Sequence, residues 1–149
     1  MSLLKQGFYL FLPVILGSLV GFIISGSIDY NELLKPPLSP PSWLFPVMWT
    51  IIYLLMGISY YIFKKDDDSI LVSRIYYIQL IVNLLWSIIF FTLKLRLLAV
   101  LWIILLVGLV GMLIYLFWNR KRISAYLNIP YMIWILFATY LTIGIYILN

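Results

Sequence analysis

The chain has 149 residues, 65% of them hydrophobic and 10% charged, against about 25% charged in an ordinary soluble domain. Ten basic and five acidic side chains cannot clothe a water-soluble fold of this length, which would bury only ~70% of its unfolded surface. The medium is therefore lipid. Cysteine and histidine are both absent, which excludes disulfides, thiolate nucleophiles, imidazole bases and most metal sites. The net charge of +5 lies in short basic clusters between apolar runs, a pattern of membrane orientation rather than of nucleic-acid binding.

Charge-free apolar runs of spanning length occur at 8–25, 44–63, 75–93, 97–118 and 129–148. At ~20 residues per crossing, five crossings use ~100 residues and leave about 50 for ends and connections, with no room for a second domain. Strands of a membrane barrel are ~10 residues of alternating polarity, so the expectation is an all-α integral membrane protein, a single five-helix transmembrane bundle. The first run follows Lys5 and ends near Ser25, Gly26 and Ser27, as a signal peptide could. Pro13 and the Gly17-x-x-x-Gly21 spacing instead suit a packed transmembrane helix, facing either the bundle or a second copy.

The connection 26–42 carries Pro36, Pro37, Pro40 and Pro41. Prolines hold it extended, and a connection this long in a small bundle reads as a lid over one end. Asp66, Asp67 and Asp68 follow the second run and read as a solvated turn, since a calcium cage needs ligands at spacings over a longer loop. Counting on alternate sides puts Lys5, Lys64, Lys65, Arg74, Arg120, Lys121 and Arg122 on one face and Lys35, Lys94 and Arg96 on the other. The positive-inside rule then predicts a cytoplasmic N-terminus and an external C-terminus. No Arg-rich, Ser-rich presequence is evident, and a bacterial cytoplasmic membrane is the expected location.

The spans hold no carboxylate or basic group, which argues against ion-coupled transport; nucleophilic hydrolysis also lacks candidate residues. They are rich in aromatic side chains at helical spacing: Trp49 with Tyr53, Asn83 with Trp86 and Phe90, and Trp134 with Ala138, each set on one helix face. Trp43, Trp102, Trp118 and Tyr146 lie near run ends and read as interfacial belt. Asn83, near mid-span, must bond another helix or a ligand. The chemistry on offer is an aromatic-walled cavity with an amide, suited to a large planar apolar ligand.

The segment Lys35-Pro36-Pro37-Leu38-Ser39-Pro40-Pro41-Ser42-Trp43, with Phe45, Trp49, Tyr53 and Met56-Gly57 after it, resembles the first loop and second helix of the translocator protein family, also called tryptophan-rich sensory proteins or peripheral benzodiazepine receptors. Gln79, Asn83, Trp86, Phe90 and Phe91 are similar to its third helix. Pro130, Tyr131, Trp134, Phe137, Ala138, Thr139, Tyr140 and Leu141 are similar to its fifth. The resemblance implies a five-helix bundle, usually homodimeric, binding protoporphyrin IX and benzodiazepine-type or isoquinoline ligands beneath the first loop, in porphyrin sensing, transport or sequestration. Carried over, the ligand site comprises Tyr30, Pro40, Trp49, Tyr53, Asn83, Trp86, Phe90, Trp134, Phe137 and Ala138. It further implies, as alternatives, light-dependent oxidative degradation of protoporphyrin IX relying on Trp49 and Trp134, or a scaffold acting through protein partners.

No resident cofactor or metal is implied, the porphyrin being ligand or substrate. With His and Cys absent, haem iron lacks its commonest ligands, so the metal-free porphyrin is expected to bind at least as well; Tyr30 and Met48 are the side chains that could reverse this. In the family's cholesterol-binding members a Leu/Val-x-Tyr-x-Lys/Arg motif ends the fifth helix. Here Tyr146 is followed by Ile147, Leu148 and Asn149, so the resemblance does not extend to cholesterol, and looser matches through Tyr60 and Tyr115 carry no weight.

Overall fold

The computed structural model describes residues 2–149, and among them the regular structure is entirely helical. Helix α1 (Leu3–Ile24) is followed by single turns at Ser25–Ser27 and Tyr30–Glu32, then by α2 (Leu44–Asp66) and α3 (Ile70–Ser87). A π-helical stretch, Ile88–Thr92, extends α3; α4 (Arg96–Arg120), the short α5 (Arg122–Leu127) and α6 (Ile129–Leu148) complete the chain. By length and composition five segments can cross a membrane, the fifth formed by α5 and α6 together.

The helices outrun the apolar runs because a charge ends a hydrophobic run without ending a helix. The Ser2 side chain caps α1 by accepting from the Lys5 N–H, so the helix begins before residue 8. Ser69 caps α3 by accepting from the Val72 N–H, and Arg74 lies inside that helix, so that it and the four helical residues before it fall outside the run at 75–93. At the other ends, Lys64 and Lys65 in the last turn of α2 and Arg120 in that of α4 complement the negative helix C-terminus.

Close helix approach is set by glycine. A Cβ on Gly57 would overlap the backbone carbonyl of Leu10, and one on Gly17 would meet the Tyr53 ring, so α1 and α2 cross with little between their backbones. The GxxxG spacing therefore divides. Gly17 faces the bundle, while a Cβ on Gly21 would meet nothing.

Two buried polar networks hold the core. Tyr53 donates to Asn83 Oδ1, Asn83 Nδ2 donates to Tyr131 at 2.9 Å, and Tyr131 donates to Gln79 Oε1 at 2.7 Å, joining α2, α3 and α6. Nearer the α2–α3 turn, Ser124 donates to the Ser59 carbonyl at 2.6 Å and Asn128 Nδ2 donates to Ser59 Oγ at 2.9 Å. Trp102, expected in the interfacial belt, instead donates its indole N–H to the Val82 carbonyl at 2.8 Å. It is a link from α4 to α3, because its mid-helix partner lies within the bundle rather than at the surface.

The turns pair as the alternation of the spans requires. Asp67 meets Arg120 at 3.0 Å and Asp66 meets Lys121 at 2.6 Å, so the aspartate run, expected as a merely solvated turn, clips α2–α3 to α4–α5. At the opposite end Asp29 pairs with Arg96 at 3.1 Å and Lys94 at 3.5 Å. The Asn149 side chain bonds both the N–H and the carbonyl of Leu34, and Tyr140 donates to the Pro37 carbonyl at 2.6 Å. The proline loop is thus pinned to α4 and to the end of α6.

Candidate functional site

A cavity of about 370 Å³ lies between α1, α2 and α3, closed at one end by the loop. Its volume falls within the range of small-molecule sites. Helix α2 supplies Phe45, Trp49 and Tyr53, one turn apart on a single face, and α3 supplies Trp86, with Phe91 beyond it on the π-helical stretch; Gly17, Ser18 and Gly21 form the α1 wall. Ile28, Tyr30 and Ser42 come from the loop. Lining residues Ser18, Gly21, Pro46 and Thr50 are exposed, so the cavity opens sideways between helices, at membrane depth.

The aromatic wall is continuous. Trp49 stacks on Tyr53 at 5.6 Å, lies 6.4 Å from Trp86, and meets the edge of Trp134 at 6.2 Å. Trp86 stacks on Phe90 at 5.3 Å, and the Arg96 guanidinium lies over the Phe90 ring at 4.4 Å. The π-helical stretch makes this arrangement possible: its wider turn crowds Phe90 and Phe91 onto neighbouring positions beside Trp86, a local departure common at functional sites.

Of the ten residues carried over from the resemblance, Tyr30, Trp49, Tyr53 and Trp86 line the cavity, while Pro40, Asn83, Phe90, Trp134, Phe137 and Ala138 do not. Pro40 accepts the Tyr30 hydroxyl proton at 2.7 Å. Asn83 uses its amide on Tyr53 and Tyr131, which settles its choice in favour of other helices. Phe90 backs Trp86, Trp134 backs Trp49 and Phe45, Phe137 lies against Trp134, and Ala138 is buried in the cluster around Tyr30 and Trp86. Trp134, Phe137 and Ala138 form a second layer, because α6 stands behind α2 as seen from the cavity. Met48 does not line the cavity either.

The α1 wall and the Phe45, Pro46 and Thr50 positions were missed. Helix α1 carries no aromatic motif, and its small residues matter through the space they leave. Phe45 follows the proline-rich segment at four residues before Trp49, the same spacing that marks Tyr53.

No acid or base other than tyrosine lines the cavity. Burial pushes the Tyr30 phenol above its ordinary range, against an opposing contact with Ser39, so it stays protonated and committed to Pro40. The indole N–H groups of Trp86 and Trp134 are buried and without a hydrogen-bond partner. In a membrane-embedded site such donors are costly to leave unmet; the Trp86 ring lines the cavity while its Nε1 is buried. Among the described residues no group of acidic or sulfur side chains could hold a metal ion.

Comparison with known proteins agrees with this architecture. The profile of the TspO/MBR family matches residues 9–148. The chain belongs to that family. It is 35% identical to the tryptophan-rich protein TspO of Archaeoglobus fulgidus, covering all of this chain and 99% of that protein. Protein CrtK of Rhodobacter capsulatus is 33% identical across 87% of this chain and 83% of its own length. The human translocator protein is 27% identical across 74% and 68%. This chain is an integral membrane protein of the same family, with five helices able to span.

Proposed function

We propose that the chain binds protoporphyrin IX and other planar, largely apolar ligands in the cavity between α1, α2 and α3, acting in porphyrin sensing, transport or sequestration. The observation that carries this reading is the cavity wall itself. Trp49, Tyr53 and Trp86 present ring faces and edges around about 370 Å³. Stacking and area burial supply affinity there without ionisable groups. With the Tyr30 hydroxyl committed to Pro40, the Tyr53 hydroxyl to Asn83 and Met48 outside the lining, no side chain of the wall is free for axial ligation, so metal-free porphyrin is expected to bind at least as well as haem. The proline loop acts as lid, the N-terminus is cytoplasmic and the membrane is a bacterial cytoplasmic one, readings supported by the loop's position over the cavity and by the seven-to-three split of basic residues.

A second reading has its own observation. Trp49 touches both Trp86 and Trp134, a connected set of oxidisable rings beside the cavity, as light-dependent breakdown of the porphyrin by dioxygen would use. One experiment separates the two. Protoporphyrin IX is titrated by absorbance into the purified chain in darkness and in light, with Trp49→Phe, Trp134→Phe and the control Trp118→Phe. Because Phe keeps most of the stacking area, Trp49→Phe should weaken binding by ~1 kcal/mol, about fivefold, and Trp134→Phe, one layer back, by less. Unchanged binding in Trp49→Phe and in a Trp49→Ala companion would overturn the cavity assignment. Light-driven porphyrin loss that falls far more steeply than binding in both variants would favour the second reading.

A further inference from the structure

At the opposite end of the molecule from the cavity, where α2 meets α3, lies a groove of about 340 Å³ bordered by Lys64, Asp68, Ser73, Arg74 and Tyr77 and continuing over Ile78 and Ile81. Of the cations at that end, Lys64 and Arg74 are the two that border the groove. Arg120 and Lys121 are neutralised by Asp67 and Asp66, and Lys65 lies over the Tyr61 ring at 5.5 Å. Lys64 and Arg74 have no hydrogen-bond or ion-pair partner among the described residues.

Below the charges runs an apolar stripe. Tyr77, Ile78, Ile81 and Leu85 follow Arg74 at helical spacing, and the last three are 45%, 56% and 38% exposed. At 1.5 Å per residue the stripe from Arg74 to Leu85 is about 16 Å long, close to one leaflet of the ~30 Å hydrocarbon core. Ser73, which borders the groove, accepts the Tyr60 hydroxyl proton at 2.8 Å.

From this we infer that the groove is a binding site for one anionic phospholipid, its phosphate between Lys64 and Arg74 and an acyl chain along Ile78, Ile81 and Leu85. Paired cations at the membrane surface above an apolar track match both halves of such a molecule, and basic pockets between transmembrane helices recognise anionic headgroups in this way. Asp68 borders the same groove and opposes the anion. Its carboxylate therefore tunes the affinity downward and gives the site a signature that diffuse surface charge lacks.

The test uses the full chain reconstituted in vesicles of equal parts palmitoyl-oleoyl phosphatidylglycerol and phosphatidylcholine, released into mild detergent, with retained lipid counted by native mass spectrometry. The expected result is one retained phosphatidylglycerol in preference to phosphatidylcholine. Lys64→Gln and Arg74→Gln should each reduce that preference about fivefold, Asp68→Asn should raise it, and Lys65→Gln should leave it within twofold. Equal retention of the two lipids would overturn the proposal, as would a loss in Lys65→Gln matching that in Lys64→Gln, which would mean surface potential alone. So would displacement by inorganic phosphate at concentrations that leave bulk lipid untouched, which would make the ligand a free anion. Rapid disulfide dimerisation of Ile81→Cys in the vesicles, in a chain with no native cysteine, would show a second copy seated on the groove and overturn it too.

Discussion

Gly57 is the position at which the smallest change has the largest expected consequence. Its missing side chain lets the Leu10 carbonyl of α1 rest against α2, and the obstacle is backbone, which cannot rotate aside. Gly57→Ala should lower stability by ~2 kcal/mol or more, since overpacking at a fixed contact forces the helices apart; Gly21→Ala, facing open space, should change it by less than ~0.5 kcal/mol. Thermal unfolding of both variants in detergent checks the pair. Asn83 gives a second expectation. It accepts from Tyr53 and donates to Tyr131, so Asn83→Leu strands the Tyr53 hydroxyl in the buried chain, while Tyr131 keeps its bond to Gln79, and should destabilise by ~1–2 kcal/mol. Tyr53→Phe added to Asn83→Leu should cost less than the sum of the two single changes, a coupling that a double-mutant cycle reads directly.

The spans themselves were legible element by element, because twenty apolar residues without charge leave a helix as the one way to satisfy the backbone in lipid. Their ends were not, since Lys5 and Arg74 stop a hydrophobic count but not the hydrogen-bond ladder, and a capping serine decides the start. The π-helical stretch at Ile88–Thr92 had no sequence signal either; Ile, Phe and Thr carry no marker of an i to i+5 bond, and packing against α4 selects it. The candidate site was legible as a set of aromatic residues but not as a surface. Spacing shows which rings share a face of one helix, yet whether Trp134 lines the cavity or backs Trp49 depends on how α6 sits behind α2. At the α2–α3 turn, the Ser69 N–H and Arg120 hold the Asp67 carboxyl below its ordinary range, against partial burial that pushes the other way. A depressed carboxylate stabilises the fold above about pH 4 and loses that contribution as pH falls through its folded value. The clip between α2–α3 and α4–α5 should therefore hold from neutral pH down to about 4 and loosen below it. The check is the acid limb of thermal unfolding, which should flatten in Asp67→Asn.

On the scale of the whole molecule, the two ends differ in kind. One is closed by the proline loop, tied to Arg96 through Asp29 and to the chain's last residue through Leu34; the other carries two ion pairs and a groove bordered by Lys64 and Arg74. Neither end offers the cavity a wide aqueous door, and its open side lies among Ser18, Gly21, Pro46 and Thr50. A ligand reaching Trp49 by that side is drawn from dissolved material in the bilayer, so the concentration that sets occupancy is moles of ligand per mole of lipid, not per litre of buffer. An apparent dissociation constant expressed in aqueous terms should then rise in proportion to the amount of lipid present, while the same data plotted as a mole fraction fall on one curve. Titrations at three lipid-to-protein ratios would reveal which axis the protein obeys, and a constant that ignored lipid would mean the ligand comes in past the loop from water. Under the proposed porphyrin binding, occupancy of the site would report how loaded the membrane is with a ligand too apolar to travel far in water.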